Sequence, residues 1–138
     1  MLKSTKVRDY MTRQLITFRP DVDIFEAIET LQANRISGAP VIDHNGQLLG
    51  LMTEGDCLTA IIKDVYYTKA GGKVSDYMTC EVATISPETD IIDVAVEFQK
   101  QKRKRFPVID DDGDLVGQIS QRDVLRAVLE IVQHPAHG

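Results

Sequence analysis

The chain has no tryptophan, only two cysteines and few aromatic residues, 6% of its 138 positions. Cys57 and Cys80 form neither a CxxC pair nor a ligand pattern with His44, His134 or His137, so a disulfide framework and a zinc site are both unexpected. Reduced thiols are the expectation. No apolar run approaches the roughly 20 residues that cross a bilayer, and the start, MLKSTKVRDYMTRQ, alternates charge and polarity where a signal peptide would be apolar. A cytoplasmic protein without membrane association is the expectation. There is no nucleophile paired with a base, no metal cluster and no glycine-rich phosphate loop, and the histidines fall in a turn or in the last residues, where a general base would be poorly held. Catalysis is therefore not expected.

What is present is an ordinary domain composition, 43% hydrophobic and 27% charged, long enough to bury one real core. The net charge of −5 argues against general affinity for nucleic acid. One run, Lys100-Gln101-Lys102-Arg103-Lys104-Arg105, is sharply basic, but it lacks the interleaved aromatics of a nucleic-acid surface. At a helix end, such cations complement the dipole.

The dominant feature is internal repetition. Shifting the sequence by 67 residues lays VRDYMT (7–12) on VSDYMT (74–79), TFRPDVDI (17–24) on TISPETDI (84–91), and APVIDHNGQLLG (39–50) on FPVIDDDGDLVG (106–117). No gap is needed, and roughly twenty of the 54 pairs starting at position 7 are identical, against about one in twenty by chance. The chain thus divides into a first copy at 7–66, a linker at 67–73 that carries Gly71 and Gly72, and a second copy at 74–133.

Each copy reads as β-α-β-β-α. A short strand at Leu15-Ile16 or Val82-Ala83 ends in a Pro-acid turn, after which apolar residues take helical spacing at Ile24, Ile28 and Leu31 or at Ile91, Ala95 and Phe98. Pro40-Val41-Ile42 and Pro107-Val108-Ile109 then open hairpins. Their turns, Asp43-His44-Asn45-Gly46 and Asp110-Asp111-Asp112-Gly113, supply residues that tolerate positive φ, and the acidic turn lacks the spacing of a calcium loop. The return strands span 48–52 and 115–119, and second helices follow at about 54–65 and 121–132. Those helices carry more apolar residues than one buried stripe needs, which points to a second contact surface, the other copy or a second subunit. Tyr66 and Tyr67 read as packing residues. A unit of about 60 residues buries little surface alone, so the copies are expected to pack as one pseudo-twofold α/β module.

The strings ISGAPVID and GLMTEGD, with KRFPVID and GQISQRD in the second copy, resemble the two signature stretches of cystathionine-β-synthase-type (CBS) repeats. The resemblance covers about residues 7 to 132. It implies a tandem module that dimerises and binds AMP, ADP, ATP, S-adenosylmethionine or a dinucleotide in clefts between the repeats, as a regulatory ligand rather than an obligatory cofactor. A protein effector would read the ligand-bound state. The alternative is a ligand-free dimerisation scaffold.

Thr53-Glu54-Gly55-Asp56 and Ser120-Gln121-Arg122-Asp123 stand where a strand gives way to a helix. Such a pattern makes a capping box, in which hydroxyl and acid each pair with the other's backbone N–H. It also fits a ligand site, with the hydroxyl and helix N–H groups holding phosphate and the Asp accepting from a ribose diol. By similarity to the family, Ile16, Thr17, Ile36, Ser37, Ala39 and Pro40 would wall the first adenine slot. Ala83, Thr84, Arg103, Lys104, Phe106 and Pro107 would wall the second, although short strands bury Ile16, Ala39, Ala83 and Phe106 in any case. The second copy adds Arg122 and Arg105, where the first has Gly55 and Gly38. An anion is therefore expected to prefer the second cleft.

Overall fold

The computed structural model describes residues 4–65 and 72–133, without the side chains of 64 and 65. Tyr66, Tyr67, His134, His137 and most of the linker lie outside the described residues. The chain is α/β and carries two repeats, each with a two-stranded antiparallel sheet. In space, however, it separates into units that cut across the repeats: Ile16–Val82 forms one, and residues up to 15 together with 83 onward form the other.

In the unit Ile16–Val82, Asp23 caps helix α1 (Ile24–Asn34) by accepting from the backbone N–H groups of Phe25 and Glu26 at 2.9 and 3.4 Å. The apolar spacing turns Ile24, Ala27 and Leu31 inward. Strands β1 (Gly38–Ile42) and β2 (Leu48–Thr53) pair from Gly38 opposite Thr53 to Ile42 opposite Leu48. Between them Asp43 Oδ1 accepts from the N–H groups of Asn45 and Gln47, and Gly46 takes φ 84°. Those bonds hold the Asp43 carboxyl below its ordinary range, the Gln47 N–H contributing most. Helix α2 (Glu54–Ala60) runs into a π-helical turn, Ile61–Val65.

A short helix α3 (Val74–Tyr77) carries the second copy's YMT motif onto this same sheet, where Thr79 and Leu51 exchange both backbone hydrogen bonds at 2.8 and 2.9 Å. Gly50 permits the approach, since a Cβ there would sit 2.6 Å from the Thr79 carbonyl oxygen. Val74 joins Phe18, Ile24, Val41 and Met52 in one buried cluster.

The other unit repeats the design with the motifs exchanged. Asp90 caps helix α4 (Ile91–Lys100), and β3 (Arg105–Ile109) pairs with β4 (Leu115–Ser120) in the matching register. The acidic turn is a hairpin turn, Asp110 Oδ1 accepting at 3.0 Å from both Asp112 and Asp114 N–H while Gly113 takes φ 86°. Helix α5 (Gln121–Gln133) follows. Here the first copy's Thr12 pairs with Gln118 across Gly117, and Val7, Tyr10 and Met11 enter the core with Ile91, Phe106 and Ile119. Phe98 and Phe106 stack in that core with centroids 4.6 Å apart.

One expectation needs correction. Leu15-Ile16 and Val82-Ala83 are not strands: the extended segments touch their sheets only through single parallel bridges, Phe18 to Val41 and Ile85 to Val108. The apolar pairs suggested strands, but the chain turns back after a single bridge, too soon to build a ladder. The second helices do carry an apolar surface beyond their buried stripe, with Leu58 60% and Leu125 67% exposed in the single chain.

Candidate functional site

Each candidate cleft falls within one unit. In the unit holding α5, Ile85 N–H donates to the Pro107 carbonyl at 3.0 Å, which sets Ala83 and Thr84 beside β3. The pairing of Arg105 with Ser120 then sets the basic segment beside the start of α5. Gln121 fastens that junction, its side-chain amide donating to the Arg103 carbonyl at 3.0 Å. The sequence reading did not single out Gln121. In the unit holding α2, Phe18 N–H donates to the Pro40 carbonyl, bringing Ile16 and Thr17 to β1, and Glu54 N–H donates to Ser37 at 2.9 Å, which also places Ile36 near the start of α2. Both predicted sets therefore converge. Ala39 and Phe106 point into the hydrophobic cores, and Pro40 and Pro107 are equally buried, so these four offer a ligand mainly backbone.

Both helix starts form capping boxes, but with different surpluses. At α2, Asp56 Oδ2 accepts from Thr53 N–H and from the Thr53 hydroxyl, each at 2.9 Å, and the Thr79 hydroxyl bridges Oδ1 and Oδ2 at 3.1 and 3.3 Å. A carboxylate oxygen accepts about two hydrogen bonds. Oδ2 is filled. At α5, Asp123 Oδ2 accepts from Ser120 N–H at 2.9 Å and Oδ1 from Arg126 at 3.0 Å. Each oxygen retains an acceptor position, and the Ser120 hydroxyl, accepting from Asp123 N–H at 3.1 Å, keeps its proton to donate.

Charge follows the same division. Lys104, Arg105 and Arg122 have no ion-pair partner among the described residues, whereas Arg103 is turned toward Gln101 at 3.1 Å and Lys100 toward Glu97 at 3.9 Å. Beside α2 stand Glu54 and Asp56, and with burial as the main cause they push the Cys57 thiol above its ordinary pKa. A groove of about 410 Å³ runs between α1 and α2, lined by Ile28, Leu31, Gln32, Glu54, Cys57, Leu58 and Ile61. Thr53 and Asp56 are not among its lining residues.

Among the described residues no helix is long and apolar enough to cross a membrane. A CBS domain-containing protein of Arabidopsis thaliana, CBSX1, is 33% identical over 91% of this chain, which spans 64% of that relative's length. The crystal structure of Arabidopsis thaliana CBSX2 in complex with AMP superposes with a TM-score of 0.81 at 32% identity, covering 94% of this chain and 99% of that one. The CBS domain pair of protein MJ0100, in complex with 5′-methylthioadenosine and S-adenosyl-L-methionine, does so with 0.73 at 27%, covering 90% and 95%. The CBS domain model itself matches residues 7–63 and again 74–130, so the chain belongs to the CBS domain family as a tandem pair.

Proposed function

We propose that this chain is a non-enzymatic regulatory module that binds an adenine nucleotide or adenosyl ligand, AMP, ADP or ATP foremost, at the start of α5. The observation that carries the reading is the surplus at that helix start: two open acceptor positions on Asp123, a Ser120 hydroxyl proton left to donate, and three cations, Lys104, Arg105 and Arg122, without an ion-pair partner among the described residues. A vicinal diol needs two acceptors, and a phosphate needs cations and donors at a helix N-terminus. Ala83, Thr84, Arg103, Phe106 and Pro107 complete the cleft, the last two through their backbone. Similarity to protein chains with AMP or S-adenosyl-L-methionine bound supports the ligand class. The matching set of the first copy, Ile16, Thr17, Ile36, Ser37, Ala39, Pro40, Thr53 and Asp56, carries less charge and is the weaker anion site.

A ligand shifts a protein only by its differential affinity for two states. The state is read here by a second polypeptide. Leu125, Leu129 and Val132, spaced four and three residues along α5 and 58 to 68% exposed, support a homodimer as the assembled form. The same stripe favours the second reading, a dimerisation scaffold without ligand. Thermal unfolding with AMP, ADP, ATP, NAD and S-adenosylmethionine separates the two. A ligand at about 100 times its dissociation constant adds roughly 2.7 kcal/mol. Stabilisation by at least one adenosyl compound is expected, and no shift with any of them would leave the scaffold.

A further inference from the structure

Asp123 is the one buried charged residue among those described, with its side chain 10% exposed, and Arg126 pairs with it one turn along α5. The guanidinium is held at both ends: Nη1 donates to Asp123 Oδ1 at 3.0 Å, and Nη2 donates to the Tyr10 backbone carbonyl at 2.8 Å. Tyr10 is a buried turn residue whose N–H donates to the Val7 carbonyl, on the arm that pairs Thr12 with Gln118, so its carbonyl is a held anchor. A 67-residue shift places Thr59 at the position of Arg126, and there the Thr79 hydroxyl takes the role of holding the aspartate. The two copies thus hold the same carboxylate by different means.

We infer that Arg126 is a positioning residue that makes the site at α5 selective for ligands with an intact ribose diol. The inference rests on the ligand reading above. Ser120 N–H on one oxygen and Arg126 on the other block rotation of the carboxylate about its terminal torsion, so the two remaining acceptor positions point in fixed directions. Two adjacent hydroxyls satisfy both positions at once. A ligand lacking one hydroxyl leaves a buried acceptor unpaired, and that penalty is full only while the carboxylate cannot turn to find another donor. A free Asp would adapt; a clamped one discriminates.

The test is isothermal titration of the full chain with AMP and 2′-deoxy-AMP. The wild-type chain is expected to prefer AMP by about tenfold or more, the effect of one charge-assisted hydrogen bond. Arg126→Ala should bring the ratio to within about threefold, chiefly by weakening AMP, and Arg126→Lys, which keeps the charge but cannot span both anchors, should give an intermediate ratio. Arg122→Ala is the contrast, since loss of a phosphate contact lowers both affinities and keeps the ratio. A merely structural Arg126 would behave as Arg122 does. An unchanged ratio in Arg126→Ala, with the Arg122→Ala loss present, overturns the positioning role and leaves the ligand reading intact. Absence of AMP binding by the wild-type chain overturns both.

Discussion

The starts of α2 and α5 share a hydroxyl-x-x-aspartate capping box, yet the aspartate of one has filled an oxygen with internal donors and that of the other has filled neither. Thr53 donates its hydroxyl proton to Asp56 and Thr79 adds another donor, whereas Ser120 keeps its proton and Asp123 keeps an acceptor on each oxygen. The bonds that start the helix are common to both copies, because without them backbone N–H groups at the helix start would go unpaired. Repetition preserves what the fold needs and leaves the remaining valences free to diverge.

The cores carry the same contrast in volume. Phe98 and Phe106 stack where the first copy has Leu31 and Ala39. Phe106→Ala should therefore cost about 3 to 5 kcal/mol, read by chemical denaturation, the largest effect expected of any change named here. A loss under about 1 kcal/mol would mean that the surrounding side chains collapse into the space, and that the aromatic pair is not what distinguishes this core.

Next in size is the ligand contrast. Each aspartate's removal takes away the half of the capping box that accepts from the Thr53 or Ser120 N–H, a stability cost common to both variants. The cost in AMP affinity is not: Asp123→Ala should weaken binding at least tenfold, by about 1.5 to 3 kcal/mol for a charge-assisted bond, while Asp56→Ala should leave the tight site nearly unchanged. Titration of both variants decides it, and equal losses would abolish the asymmetry. A smaller steric contrast comes from the glycines. A Cβ on Gly50 would meet the Thr79 carbonyl at 2.6 Å, but on Gly117 the nearest atom is the flexible Met11 sulfur, with the Thr12 carbonyl at 2.9 Å. Gly50→Ala is thus expected to lower stability by about 1 to 3 kcal/mol and Gly117→Ala by less, in thermal unfolding. The reverse order would show that the Thr79 segment yields more readily than the Thr12 segment.

The repeat, both hairpins and all four long helices were legible in the sequence, because turn residues and helical spacing are local signals. The exchange of VRDYMT and VSDYMT between units was not. The two motifs are nearly the same string, so either could pair with either hairpin without disturbing any pattern. Only Gly50 and Gly117, conspicuous as glycines in the middle of strands, hinted that a backbone approaches there. For the candidate site, the two strand-to-helix junctions were readable. The bonds of Thr79, Gln121 and Arg126 were not, since Thr79 comes from an exchanged segment, Arg126 reaches back across a helical turn, and Gln121 reaches from the helix start to a residue 18 positions earlier.

The smallest expected effect tests the exchanged arm itself. Lys6 and Arg8 both pair with Glu88, at 2.7 and 2.9 Å, joining the first copy's arm to the turn before α4. In the other unit the corresponding residues are Lys73, Ser75 and Asp21, and no ion pair is formed at Asp21 among the described residues. The hydrogen bond from Lys6, with the charges of Arg8 and Lys6, holds the Glu88 carboxyl below its ordinary range. A carboxyl whose folded pKa is lowered contributes stability above its unfolded pKa, near 4.3 for glutamate, and loses that contribution as pH falls through the folded value. Glu88→Gln should therefore melt slightly below the wild-type chain at pH 7 and at the same temperature once the pH is well below 4, the gap narrowing further in high salt because the pair is half exposed. Asp21→Asn, which breaks no ion pair among the described residues, should leave the melting temperature at pH 7 nearly unchanged. A gap that persists in acid would assign the Glu88 effect to packing rather than charge, and the two units would then differ in shape alone at this turn.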